Sequence, residues 1–215
     1  MSTRSTVIIT VLLIVLSIVI SALVYARLPE PMASHWNASN QVDGYISRIM
    51  GAYLMPVVAV MVGLLFLVIP KIDPLKANIV KFIESYNAFI AVLVAFLAYV
   101  HVLTIIWNLG YDQFNMGTAM MPALGLIFVF AGLMMRKAKR NFFIGIRTPW
   151  TLSSDWVWNQ THRVGSVLFV VFGLLSMLGV FFPDFILWFL LVPVLCATLF
   201  LVIYSYILYR KETHA

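Results

Sequence analysis

The chain has 215 residues, of which 63% are hydrophobic and only 10% charged, with a mean hydropathy of +1.01. Soluble domains carry about 25% charged residues, so the composition excludes a water-soluble protein and points to an integral membrane protein of the cell membrane, multi-pass and all-α. The formal net charge of +6 would suggest nucleic acid in a soluble protein. Here the basic residues flank apolar runs, which assigns them to topology and leaves no direct nucleic-acid partner. A single cysteine, Cys196, lies inside an apolar run and excludes an intramolecular disulfide and a Cys-based metal cluster.

Six runs, at 6–26, 49–69, 87–107, 116–135, 164–182 and 185–209, approach the roughly 20 residues that cross a bilayer as a helix. The first is too long for a signal-peptide core and no small-x-small cleavage site follows it, so it reads as a span. The connection at 27–48 contains Pro31, His35, Trp36, Asp43 and Gly44. His35, Asp43 and Asp112 are conceivable cation ligands, but they lack a ligand spacing, so no metal and no cofactor is assigned. Trp36 and Tyr45 suit the membrane interface or an apolar peptide, and Asn37-Ala38-Ser39 is a glycosylation sequon. On the third run, His101, Thr104 and Asn108 form one helical stripe. Either it makes interhelical hydrogen bonds or it marks a transport path.

The fourth run ends in Arg136, Lys137, Lys139 and Arg140, a basic stop held against anionic lipid or a docking patch for a soluble partner. The fifth and sixth runs form a tight hairpin around Pro183-Asp184, and Pro56, Pro122 and Pro193 can kink their spans. One face of this topology would hold twelve of the fourteen Lys and Arg residues. By the positive-inside rule both termini are cytoplasmic, the loop 136–163 lies inside and the loop 27–48 lies outside.

The polar interval from Asn141 to Gly165 is the chemically dense part of the second half. Gly145 permits a turn or a close backbone approach, and Pro149 pushes Thr148 into an extended conformation. Thr151, Ser153 or Ser154 can cap a helix with Asp155 in its first turn. On that helix Asp155, Asn159 and His162 would lie roughly along one face, as would Trp158, His162 and Gly165, and Trp156 and Trp158 would sit at headgroup depth. Arg147 offers a planar fork to carboxylate, phosphate or backbone carbonyls, or it pins the loop to helix-end carbonyls or Asp155. His162 is either a pH sensor or an interfacial histidine bonded to the loop or to lipid phosphate.

Asn141-x-x-x-Gly145-Ile146-Arg147-Thr148-Pro149-Trp150-Thr151, then Trp158 and Thr161-His162-Arg163-x-Gly165, resembles the signature of the SdpI family. Those are multispanning bacterial membrane proteins named for immunity to a secreted peptide toxin. The outward stretch, with Pro31, then His35-Trp36, then Asp43-Gly44, resembles the short module of unknown function often found ahead of that segment. The resemblance implies a two-helix module at 1–70 and a four-helix region at 71–215. It carries over Asn141, Gly145, Arg147, Thr148, Pro149, Thr151, Trp158 and His162 as partner- or ligand-binding positions, with Trp150 and Arg163 in the same loop. The implied function is immunity and signalling without catalysis. Its implied partners are membrane lipids, a secreted toxin outside and a repressor inside. A transporter or channel-like protein is the alternative.

Overall fold

Residues 1–214 are described by the computed structural model, in which six helices are long and apolar enough to cross a membrane. In chain order the elements are α1 (Thr3–Val24), strands β1 (Met32–Trp36) and β2 (Val42–Ile46), α2 (Arg48–Ile72), the short α3 (Lys76–Val80), α4 (Ile83–Asn108), α5 (Met116–Lys137), the short α6 (Pro149–Ser153), α7 (Asp155–Leu178) and α8 (Ile186–Thr213). Each expected span falls on one of the six long helices. The fifth is extended, since α7 begins at Asp155 and carries the polar tract in helical form ahead of its apolar part.

Caps fix several starts. Ser2 accepts from the Ser5 amide at 3.1 Å, and Asn115 accepts from the Thr118 amide at 2.8 Å, each satisfying a donor that a helix start leaves open. Pro56, Pro122 and Pro193 lie inside α2, α5 and α8, as expected, and Pro70 is a fourth such proline.

The largest buried cluster joins Phe66 of α2, Tyr86 and Ile90 of α4, Met134 of α5, Ile144 of the following loop and Trp158 of α7. α1 and α2 both pack on α4, and α5 packs along α7. Small residues allow the α5–α7 contact. A Cβ on Gly132 would stand 2.7 Å from the Ser166 carbonyl oxygen, and one on Gly173 would stand 2.8 Å from the Val129 amide nitrogen. The outward faces are aliphatic, as at Leu23 of α1 and Leu199 of α8, and suit lipid.

Hydrogen bonds gather four segments at one end of the bundle. Asn87 donates to the Met1 carbonyl at 3.0 Å, Asn78 donates to the Arg140 carbonyl at 2.9 Å, and Ser154 donates to Glu212 at 2.8 Å. The first residues, the connection after α2, the loop after α5 and the end of α8 therefore meet there. The twelve clustered basic residues lie on these segments or at the helix ends beside them.

The opposite end corrects the all-helical expectation. Residues 32–46 form an antiparallel hairpin whose register is irregular around His35. Asn108 holds it by accepting from the Ala33 amide at 2.8 Å and donating to the Ala33 carbonyl at 3.0 Å. Asn40, with φ +60, donates to the Phe114 carbonyl at 3.2 Å and accepts from the Met116 amide at 2.8 Å. The turn between α7 and α8 consists of two short 3-10 segments, Gly179–Phe181 and Pro183–Phe185.

Candidate functional site

Asn141 is fully buried and organises the loop after α5. Its Oδ1 accepts from the Phe143 and Ile144 amides at 2.9 and 2.6 Å. Its Nδ2 donates to the Lys139 and Ile144 carbonyls at 2.9 and 3.0 Å. One side chain therefore uses its whole hydrogen-bonding capacity on backbone that would otherwise be buried without partners. Asp73, just beyond α2, clamps the same turn. Its Oδ2 accepts from the Phe142 amide at 2.9 Å, while Oδ1 accepts from the Leu75 amide at 2.6 Å.

Gly145 comes next with φ +107, a conformation that favours glycine. A Cβ there would also run into the His162 ring. His162 Nε2 accepts from the Ile146 amide at 3.0 Å, and Nδ1 lies 2.8 Å from the Trp158 carbonyl. A carbonyl only accepts and an amide only donates, so these partners fix a neutral ring with its proton on Nδ1. The ring stacks on Trp158 at 4.0 Å, and the Trp158 indole donates to the Ala138 carbonyl at 3.0 Å. His162 thus locks the loop onto α7, with both nitrogens occupied.

Thr148 and Thr151 form a reciprocal capping box at the start of α6. Each hydroxyl accepts from the other's amide, at 3.1 and 2.9 Å, with Pro149 at the first helical position. Thr151 also donates to the Ile146 carbonyl at 2.8 Å, and the Thr148 hydroxyl meets that of Ser205 on α8 at 3.1 Å. Trp150 packs on Tyr206 of α8, with ring centroids 5.0 Å apart. Ser154 caps α7 by accepting from the Trp156 and Val157 amides, and Asp155 stands in the first turn as expected.

Of the two faces expected on α7, the one through Trp158, His162 and Gly165 is the buried one. Trp158 is wholly buried, and Trp156 is exposed. Asp155 and Asn159 are exposed, whereas Trp158, Thr161, His162 and Gly165 form the buried face. At 3.6 residues per turn the stripe that meets α5 and the loop runs through Trp158, His162 and Gly165, leaving Asp155 and Asn159 beside it. Asp155 is paired with Arg140, at 2.8 Å, and not with Arg147.

Arg147 donates to the Phe142 carbonyl at 2.8 Å and is otherwise exposed, like Arg163. The loop therefore has a backbone-bonded interior of Asn141, Thr148, Thr151, Trp158 and His162, with Gly145 at its surface, turned against the His162 ring. Its accessible surface includes Arg147, Pro149, Arg163 and the basic residues Arg136, Lys137 and Lys139. Sequence reading missed Asp73, Asn78, Arg140 and Ser205 as supports. An aspartate directly after an apolar span, in Lys71-Ile72-Asp73-Pro74, was the available signal.

The other candidates lie apart from this loop. His101 is fully buried, with Nε2 3.0 Å from the Ser21 hydroxyl and 3.1 Å from the Ser17 carbonyl. Ser21 in turn donates to the Ala52 carbonyl at 2.6 Å, so His101 fastens α4 to α1 and, through Ser21, to α2. Thr104 donates within α4, and Asn108 holds the hairpin. At the far end His35 Nδ1 and Asp43 meet at 2.5 Å, Gly44 lies across from His35, Pro31 is exposed after a cis peptide bond, and Trp36 packs edge-on against Trp107. Asp112 does not join them, and among the described residues no group of three or more His, Cys, Asp or Glu could hold a metal ion.

Six apolar helices closed at one end by an ordered, basic-surfaced loop define a multi-pass cell membrane protein. Residues 137–206 match the SdpI/YfhL protein family, and residues 12–60 match a domain of unknown function, DUF1648. The first of these segments runs from the end of α5 into α8, and the second runs from α1 into α2. It is also 29% identical over 190 residues to the immunity protein SdpI of Bacillus subtilis (strain 168), a similarity covering 88% of each chain. No solved structure matches.

Proposed function

We propose that this chain is a membrane immunity protein that protects its cell from an extracellular peptide toxin and holds a transcriptional repressor at the cytoplasmic face. The observation that carries the reading is the similarity to the Bacillus subtilis immunity protein SdpI across 88% of both chains, which spans both halves of the fold. The accumulation of Lys and Arg at one end supports a cytoplasmic placement of both termini and of the loop 136–163, with the hairpin outside. We read 1–70 as the outward-facing module and 71–215 as the region that carries the inner loop. No catalytic step is part of the proposal.

Toxin bound at the outer or intramembrane surface would favour one arrangement of the helices, and the loop would report it. This requires the toxin to bind the two arrangements with different affinity. The loop's bonding supports such a role, because it is tied to the residues after α2 through Asp73, to α3 through Asn78 and to α8 through Ser205. The transporter alternative relied on the His101 stripe, whose side chains make bonds within the bundle and to the hairpin. Viable counts of toxin-sensitive cells carrying the chain or an empty vector test the proposal. Protection by the chain is expected, and equal killing would defeat the immunity reading.

A further inference from the structure

At the loop end a crevice of about 450 Å³ lies between α2 and α5, floored by α4. That volume lies within the ~300–1,000 Å³ of small-molecule sites. Its walls are apolar, with Leu65 and Ile69 from α2, Phe89 and Leu93 from α4 and Ala131 from α5. The loop backbone from Phe143 to Ile146 lines it as well. Leu65 is 57% exposed and Phe143 is 38% exposed, so the crevice opens sideways, towards the acyl region of a surrounding bilayer.

The charge at the loop end selects among apolar occupants. Arg147 directly follows the lining segment, and its guanidinium is fixed by one hydrogen bond to the Phe142 carbonyl at 2.8 Å. It is exposed and makes no ion pair among the described residues. Nearby acids do not neutralise it: Asp73 accepts backbone amides, and Asp155 is paired with Arg140. A planar fork with free donors suits a phosphate, and Lys139 adds positive charge on the same loop.

We propose that this crevice holds one acyl chain of an anionic phospholipid whose headgroup phosphate is bound by Arg147. The lipid would brace α2 against α5 and the Asn141 turn, making the conformation of the loop dependent on membrane composition. This goes beyond the immunity reading and does not rest on it.

Native mass spectrometry of the full chain in mild detergent, delipidated and then titrated separately with phosphatidylglycerol and phosphatidylcholine, tests the assignment. Tight retention of one phosphatidylglycerol is expected, at least tenfold above phosphatidylcholine. Arg147→Gln is expected to lower phosphatidylglycerol retention to the phosphatidylcholine level. Ala131→Trp, which fills the crevice from α5, is expected to remove tight binding of both lipids. Leu65→Trp fills it from the opposite wall and replaces Ala131→Trp if that variant does not elute as a monodisperse, parent-like species. Equal retention of the two lipids by the parent, or unchanged phosphatidylglycerol retention in Arg147→Gln, would overturn the headgroup assignment. Unchanged retention in whichever tryptophan variant is folded would overturn the crevice itself.

Discussion

Replacing Asn141 gives the sharpest test of how the loop is built. Alanine removes four hydrogen bonds, two accepted and two donated, and leaves the Phe143 and Ile144 amides and the Lys139 and Ile144 carbonyls without their partner. At roughly 0.5–1.5 kcal/mol net per bond, the loss is about 2–6 kcal/mol. A local loss of that size raises the opening equilibrium of the loop by roughly 30-fold at the lower end and about 20,000-fold at the upper. Asn141→Asp keeps both accepted bonds but turns an acceptor towards two carbonyl oxygens at 2.9 and 3.0 Å, and it buries a charge. It should cost at least as much as alanine. The assay is thiol labelling of Ile144→Cys in a Cys196→Ser background, since Ile144 is only 7% exposed. Labelling should accelerate markedly with either change at Asn141. A rate within twofold of the parent for both would refute the claim that this side chain holds the turn.

Gly145→Ala should lower the melting temperature in detergent much more than Gly110→Ala. Both glycines have positive φ, +107 and +93, but only the first would drive a Cβ into the His162 ring; equal losses would contradict that account. Asn108→Ala should free the hairpin, read as faster proteolysis between Asn37 and Gln41, with the helical circular dichroism unchanged; an unaltered cleavage rate would show that other contacts suffice. Gly132→Leu should prevent recovery of monodisperse protein, because Ser166 and Val170 leave no room at the α5–α7 contact, whereas Gly110→Leu, with nothing within 4 Å of its Cβ position, should be recovered.

The spans were legible because bilayer thickness forces long apolar runs, and a helix is how such a run satisfies its own backbone. The loop after α5 was legible in residue type, since Gly145, the Thr148-Pro149 pair and the Ser154 cap each have a local physical reason. Burial was harder to read. The burial of Trp158 was not legible because its partner, the Ala138 carbonyl, lies twenty residues upstream and only tertiary packing brings it near. Arg147 was expected to reach helix-end carbonyls or Asp155, but the course of the loop brings Arg140 to Asp155 and leaves Arg147 on the Phe142 carbonyl. The hairpin was missed because its strands are five residues each, carry His35, Asp43 and Gly44, and are joined by Asn37–Gln41 without an Asn-Gly or Asp-Gly turn. Its pairing depends on Asn108, which sequence reading had placed on an intramembrane stripe.

The proposed function has this chain confer immunity with the participation of the loop after α5. Survival of toxin-sensitive cells carrying the parent, Arg147→Ala or an empty vector, at matched membrane levels, tests it most directly. The account predicts protection by the parent that falls towards the empty-vector level in Arg147→Ala. Full protection by both proteins would remove Arg147 from the mechanism, and killing equal to the empty vector in the parent would contradict the immunity reading altogether.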